Sequence, residues 1–199
     1  MVFRDHTHHR NLLRYYVSYE TKKKYQMGLR FLLSKGIEVL GIVCDGKRGM
    51  FSAFGDIPVQ MCHFHQKAII TKYITRKPKL QAGVELKEVV QKLTCSSKLE
   101  FMELLDQWFK EWKDFLAEKT FDEDGKKWHY THKILRSAYR SLKTNSSFLF
   151  TYLEYPDLGI PNSTNPLEGI FTNLKTKLRN HSGTCKWRKM KITDEILSK

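Results

Sequence analysis

Two acidic residues, far apart in the chain, lie where metal-dependent chemistry would need them. Asp45 follows an apolar run within Val43-Cys44-Asp45-Gly46, and Glu168 lies at the start of a basic amphipathic stretch. Carboxylate oxygens are the ligands that Mg²⁺ prefers, and they can hold the ion against a phosphate. The sequence therefore predicts a site for Mg²⁺ (or Mn²⁺), although phosphoryl chemistry of this kind normally uses three carboxylates and only two are well placed.

Both acids also have simpler interpretations, which the sequence leaves open. Asp45 could be a turn residue that caps a short helix predicted at Gly49–Phe54. Glu168 could complete a capping box with Asn165, because the spacing is the required one. A capping role for Glu168 would not, however, require basic residues further along the helix. Lys175 and Arg179 share one flank with Glu168 on the predicted helix, where they could contact a phosphate.

Cys62 and His65 form a C-x-x-H pair that suggests a metal or a buried thiol. Zinc needs about four ligands, and His181 and Cys185 are the only other obvious candidates. A predicted strand over Val59–His65 would place Cys62 and His65 on opposite faces, unless the strand ends at Phe64. We therefore expect no zinc and interpret the pair as a buried thiol with a hydrogen-bonded histidine near the acidic site.

The charge of the chain points to a polyanionic partner. Lys and Arg number 35 against 21 Asp and Glu, which gives a net charge of +14 and a pI near 9.6. Binding of such a chain to nucleic acid would weaken with salt, because neutralised phosphates release counterions. The segment 136–143 interleaves basic and aromatic residues, and both a nucleic-acid contact and a solvated helix face remain open for it.

Other compositional features exclude some classes of protein. No stretch approaches the ~20 apolar residues that a membrane span needs, so no membrane partner is expected. The four cysteines are dispersed without a CxxC pair, which argues against a disulfide framework and for a reducing compartment. We predict a cytoplasmic, nucleoid-associated protein.

Hydrophobic periodicity predicts a mixed α/β (α+β) core interrupted by helices. The first part has the order β-β-α-β-α-β, which indicates a mixed sheet. Its predicted elements are a hairpin over Met1–Glu20, a helix over Thr21–Lys35, a strand buried on both faces over Ile37–Cys44, the short helix Gly49–Phe54 and the strand Val59–His65. Helical patterns then follow at Gln66–Thr75, Val84–Leu93, Leu99–Lys119 and Lys133–Lys143, with a polar break over Phe121–Lys127. A last helix begins after the N-cap Asn165.

The boundaries of these patterns predict three segments. Residues 1–75 form the first part of the core and residues 76–145 form an all-helical insertion. Residues 146–199 complete the core with the Glu168 helix and a basic tail.

An ordered set of motifs resembles the Mutator-related insertion-sequence transposases of bacteria and archaea, and is most similar to the class with a variant N-terminal zinc ribbon. The resemblance covers nearly the whole chain. It is carried by Glu20-Thr21 with Tyr25, by 43–49 (VCDGKRG), 58–66 (PVQMCHFHQ), Pro78, 136–139 (RSAY), 160–165 (IPNSTN) and 167–169 (LEG), and by 181–183 (HSG).

The resemblance implies an RNase H-like fold with a DDE active site. Asp45 would be the second acid and Glu168 the third, both as metal ligands, and Cys62 and His65 would be the family's C-x-x-H signature. Two Mg²⁺ ions ~4 Å apart would serve cleavage and strand transfer. The implied partners are DNA, as element ends and target, and further copies of the full-length protein.

A set of basic residues is predicted to contact the DNA. It comprises Lys47, Arg48, Arg136, Arg140, Lys175 and Arg179.

One departure from the family pattern matters for activity. The family's first acid lies on a first central strand that precedes the hairpin with which this chain begins, and Asp5 in the hairpin turn is a poor substitute. The zinc ribbon is also missing. We therefore expect an N-terminally truncated transposase that lacks the first strand and is inactive alone.

Two other functions remain open at the level of sequence. A non-catalytic DNA-binding remnant or co-opted DNA-binding module would bind DNA without regard to Mg²⁺. An RNase H-like nuclease or resolvase would share the metal site and would differ from a transposase in its substrate.

Overall fold

The protein is described here by a computed structural model that covers residues 1–47 and 49–198. Its strands are β1 (Val2–Asp5), β2 (Arg10–Arg14), β3 (Ile42–Cys44), β4 (Val59–Met61), β5 (Lys119–Phe121) and β6 (Trp128–Tyr130). Its α-helices are α1 (Lys22–Ser34), α2 (His63–Ile74), α3 (Gln81–Lys92), α4 (Lys98–Glu111), α5 (Lys113–Ala117), α6 (Lys133–Leu149), α7 (Thr151–Glu154), α8 (Asn165–Asn180) and α9 (Lys186–Leu197). Short 3₁₀ helices lie at Phe51–Ala53 and Pro156–Leu158. The predicted mixture of helices and strands is confirmed.

The chain forms two compact units that do not coincide with the three predicted segments. The first unit contains Met1–Ile42, Lys47–Pro58 and the chain from Thr164 onward. The second contains Val43–Gly46 and Val59–Ser163. Asp45 therefore belongs to the second unit and Glu168 to the first.

The first unit begins with the predicted hairpin. β1 and β2 pair antiparallel, and the turn between them is held by Asp5, whose Oδ1 accepts the Thr7 N–H at 2.9 Å. The side-chain hydrogen bond from His8 lowers the pKa of Asp5. The second strand ends at Arg14, so the hairpin is shorter than the predicted Met1–Glu20. Asp5 is thus engaged in shaping this turn.

Helix α1 packs on the hairpin. Thr21 caps it by accepting the Lys24 N–H, and Leu29 and Leu32 are buried. Gly28 lies so close to the Phe3 ring that a Cβ there would clash with it. The sequence prediction of this helix is therefore confirmed to within one residue at each end.

The strand that precedes Asp45 is shorter and more exposed than predicted. Only Ile42–Cys44 is extended, and all three residues are half-buried. The expectation of a strand buried on both faces was wrong, because within the described residues β3 pairs with β4 in a two-stranded sheet. The Cys62 N–H donates to the Cys44 carbonyl at 2.8 Å, just past the end of β4.

The second unit has a helical core. α2 packs on α6 and α3, and α3 on α4. Its completely buried large side chains include Ile70, Leu86, Leu93, Phe101, Leu105, Leu116, Leu142, Leu149 and Phe150. Each such side chain stabilises the fold by about 1.5–3 kcal/mol relative to an exposed one. The buried indole N–H of Trp108 donates to the Ala82 carbonyl at 2.9 Å.

Two predictions for the second unit were wrong. The helix expected over Leu99–Lys119 ends at Glu111 and continues as the separate helix α5. The polar break after it is the loop of an antiparallel hairpin, in which β5 pairs with β6. The insertion is therefore not all-helical. The pairing was missed because two strands of three residues are too short to show a period of two.

The described residues contain three separate two-stranded sheets, β1–β2, β3–β4 and β5–β6. The single mixed sheet predicted from the element order is not seen among them. Within residues 1–47 and 49–198, no helix is both long and apolar enough to cross a membrane.

Candidate metal and nucleic-acid site

Asp45 is exposed at the carboxyl end of β3, as the sequence predicts. The chain turns directly after it, because Gly46 has φ +78°. The alternative that Asp45 caps the next helix is excluded by position. The following 3₁₀ helix starts at Phe51, and Met50 occupies its N-cap position.

Gly46 also has a packing reason to be glycine. A Cβ at this position would lie 2.8 Å from the Met61 Sδ and closer still to its terminal methyl group. Met61 on β4 is completely buried, so little space is left for it to move. The turn after Asp45 is thus fixed by both a positive φ and a close neighbour.

Cys62 and His65 lie at the start of a helix and not along a strand. β4 ends at Met61, Cys62 takes the N-cap position of α2, and His65 is the third residue of that helix. The expectation that the two face opposite sides was wrong, since residues three apart at a helix start are neighbours. Cys62 is completely buried, as predicted for the thiol, and His65 is half-buried.

A second thiol lies next to this helix start. Cys44, whose carbonyl accepts the Cys62 N–H, is half-buried, and burial raises its pKa to about 11. It therefore stays a neutral thiol at physiological pH.

His63 is the residue in this region that sequence reasoning passed over. It is only 1% exposed, and its Nε2 lies 2.6 Å from the Leu149 carbonyl oxygen. Its ring has edge contacts with Phe150 and Tyr152. Burial lowers the pKa of His63, so the ring is neutral near pH 7 and donates to the carbonyl. His63 thus ties the start of α2 to the end of α6.

Gln60 strengthens the same junction. Its Nε2 donates to the Leu149 carbonyl at 2.9 Å, and its Oε1 accepts the Tyr152 N–H at 3.0 Å. Gln60 and His63 are both buried. The hydrogen bonds of the Gln60 amide and of His63 Nε2 therefore avoid the cost of burying these polar atoms unpaired. In the sequence, the only sign of this junction is a glutamine and a histidine beside apolar residues. That pattern does not reveal which helix the two side chains bind.

Glu168 lies in the first turn of α8, half-buried. The helix begins at Asn165, and Thr164 occupies the N-cap position. The predicted N-cap Asn165 was therefore wrong by one residue. The alternative of a capping box between Asn165 and Glu168 is excluded, because that motif joins the N-cap to the third helical position. Pro166 lies in the first turn, where its missing N–H costs nothing.

Two predicted DNA-binding residues on α8 have the expected placement. Lys175 and Arg179 are both exposed. Steps of seven and eleven residues return close to the angular position of Glu168, so the three share one flank of the helix. The flank combines a carboxylate in the first turn with cations further along.

The other predicted DNA-binding residues have mixed surroundings. Lys47 is exposed, and its Nζ donates to the Glu20 carbonyl at 2.7 Å. Arg136 stacks 3.6 Å from the Tyr130 ring centroid and donates to the Leu116 carbonyl, so it joins β6 and α5 to α6. Arg140, one turn later, is exposed. Arg48 lies outside the described residues.

The structure thus divides the predicted site between the two units. Asp45, Cys62 and His65 belong to the second, with Arg136 and Arg140. Glu168 belongs to the first, with Lys47, Lys175 and Arg179. Across positions 1–47 and 49–198, no group of three or more His, Cys, Asp or Glu residues is arranged to hold a metal ion.

Comparison with known proteins leaves the family of the chain open. No protein-family model, no curated protein and no solved structure matches it.

Proposed function

We propose that this chain is part of a DDE-type DNA transposase, in which Asp45 and Glu168 are two of the metal-binding acids. One observation carries the proposal: each acid lies at the end of a regular element, where a carboxylate is held by the backbone. Asp45 follows β3 and Glu168 opens α8. This placement suits oxygen ligands for a hard divalent cation.

The surroundings of each acid support a phosphate-bearing partner. Asp45 is followed by Gly46 and by Lys47, whose side chain is held near the surface. Glu168 shares its flank with Lys175 and Arg179, which can neutralise phosphate oxygens. The net charge of +14 adds a long-range attraction for DNA.

Asp45 and Glu168 would hold Mg²⁺, which when bound lowers the pKa of an attacking water or hydroxyl and stabilises the leaving oxygen. The contribution of the chain itself is positioning. Gly46 fixes the turn after Asp45, and the network around His63 and Gln60 fixes β4 beside it. We propose that the chain binds metal through these two acids and DNA through the basic residues beside them.

The test compares the affinity of the chain for duplex DNA in millimolar Mg²⁺ and in EDTA at equal ionic strength. Free Mg²⁺ competes for phosphates and weakens ordinary electrostatic binding. A metal held by Asp45 and Glu168 should instead strengthen binding, by about tenfold if one metal–phosphate contact is worth about 1.4 kcal/mol. Fluorescence anisotropy of a labelled duplex measures the difference.

Matched variants locate the effect. Asp45→Asn and Glu168→Gln are each expected to remove the stimulation by Mg²⁺. Asp56→Asn and Glu195→Gln, which neutralise exposed carboxylates elsewhere, should retain it. Stimulation that survives in both site variants would refute the proposal.

A second candidate function is a DNA-binding module without catalysis. It is favoured by the concentration of basic residues along α8 and α9, which requires no metal. This function predicts tight binding in EDTA that weakens steeply with salt and is not strengthened by Mg²⁺.

A further inference from the structure

One stretch of 25 residues carries half of the net charge of the chain. Residues 169–193 contain no Asp or Glu and seven basic residues, against a net charge of +14 for the whole chain. These are Lys175, Lys177, Arg179, Lys186, Arg188, Lys189 and Lys191. The stretch covers most of α8 and the first two thirds of α9, and we call it the basic segment.

The basic segment presents its charges to solvent. α8 and α9 pack against each other. Six of the seven cations are exposed: Lys175, Lys177, Arg179, Lys186, Arg188 and Lys191. Only Lys189 is half-buried, with its Nζ 3.2 Å from the Ser182 carbonyl oxygen. No Asp or Glu within the segment offsets this positive charge, so the segment attracts a polyanion.

The C-terminal end of α9 contacts the hairpin through side-chain hydrogen bonds. Asp194 accepts the Arg14 Nε at 2.8 Å and the Tyr16 hydroxyl at 3.0 Å. The Asn11 side chain donates to the Leu197 carbonyl at 2.9 Å. The last turns of α9 are thus docked on the β1–β2 hairpin. The first acid of the helix is engaged there and does not offset the cations before it.

An aromatic side chain lies among these cations. Trp187 is 59% exposed, and the Lys191 Nζ lies 5.1 Å from its ring centroid. An exposed indole gains the free energy of removing its apolar surface from water only when a partner covers it. A duplex hides the faces of its bases, whereas unpaired bases offer them for stacking on an aromatic ring beside phosphate-binding cations.

We propose that the basic segment binds single-stranded DNA, with its Lys and Arg side chains on phosphates and Trp187 stacked on a base. The inference rests on the proposed function in taking DNA as the partner. It does not require Asp45 or Glu168, and it needs no metal. The two proposals can therefore fail separately.

The test measures binding of labelled oligothymidylate and of a duplex of equal length, both in EDTA and at low salt. Trp187→Ala should weaken binding to the single strand about tenfold, since stacking of one base on an aromatic ring is worth about 1–3 kcal/mol. Binding to the duplex should change less than about twofold, because no base face is available to the indole. Trp128→Ala, which removes a 49% exposed indole from β6, is the matched control and should leave both affinities unchanged.

A charge variant tests the phosphate contacts independently. Lys186→Glu with Arg188→Glu should weaken single-strand binding by more than about tenfold and reduce its dependence on salt. Lys110→Glu with Lys113→Glu makes the same change of charge at exposed positions in the second unit and is the control. Circular dichroism confirms that each variant is folded.

Three results would overturn the proposal. Trp187→Ala could leave single-strand binding unchanged or weaken both DNA forms equally. The two charge variants could weaken binding to the same extent, which would indicate a response to net charge alone. Oligouridylate could bind more tightly than oligothymidylate, which would assign the segment to RNA. Loss of Mg²⁺ stimulation in Asp45→Asn has no bearing on these outcomes.

Discussion

Replacing Phe150 with alanine is expected to lower the free energy of unfolding by about 3–5 kcal/mol, the usual cost of removing a buried aromatic ring. Phe150 is completely buried where α6 ends, and its ring contacts Phe101 and His63 with centroids 5.6 and 6.1 Å away. These contacts join α4, α6 and the start of α2. The cavity would open beside the junction that holds β4, so we expect the second unit to lose much of its stability.

Urea titration followed by circular dichroism measures this loss. Phe121→Ala removes the same ring from an exposed position on β5 and should cost less than about 1 kcal/mol. Phe150→Leu keeps part of the volume and should fall between the two, which provides a folded variant if alanine prevents folding. Equal losses for Phe150→Ala and Phe121→Ala would show that α6 does not end in a packed core.

Gly46→Ala is expected to destabilise the protein by roughly 2–5 kcal/mol, the sum of two separate costs. A positive φ at a residue with a Cβ costs about 1–2 kcal/mol. The contact with the buried Met61 side chain adds about 1–3 kcal/mol of overpacking. This substitution strains the turn that immediately follows Asp45, so it tests how firmly the backbone there is held.

Gly36→Ala separates the two costs. Gly36 has nearly the same φ, +76°, but no described atom lies within 4 Å of a Cβ built there. Its substitution should lower the free energy of unfolding only by the cost of the positive φ, about 1–2 kcal/mol. The difference between the two variants, measured by urea unfolding, is the cost of the Met61 contact. No difference would mean that Met61 moves aside freely.

The sequence predicted those elements best whose signal is local. The helix from Lys22 to Ser34 has an N-cap, an apolar stripe and a closing Gly36, and its bounds were found within one residue. Asp45 was placed correctly because an apolar run followed by Asp-Gly marks a strand end. The completely buried Cys62 was also predicted.

The wrong predictions concern elements whose bounds depend on tertiary contacts. A continuous apolar run from Ile37 suggested a strand buried on both faces. Among the described residues, however, only Ile42–Cys44 are extended, and they pair with one strand. The run from Val59 to His65 was predicted as one strand. The strand ends at Met61, and a helix begins at His63. The side chain of His63 hydrogen-bonds the carbonyl of Leu149, 86 residues away. No local pattern could reveal that partner.

The function of the candidate site depends on whether Asp45 and Glu168 hold the same ions, and a Mn²⁺ titration followed by electron paramagnetic resonance tests this directly. The free Mn²⁺ signal gives the affinity of the chain and of the Asp45→Asn, Glu168→Gln and double variants. We expect each single variant to lose about tenfold or more in affinity and the double variant to lose little beyond that. The reason is that the effects of removing two groups that bind the same ion are not additive. Independent, additive losses, or an equal loss in the Asp56→Asn control, would contradict a shared metal site.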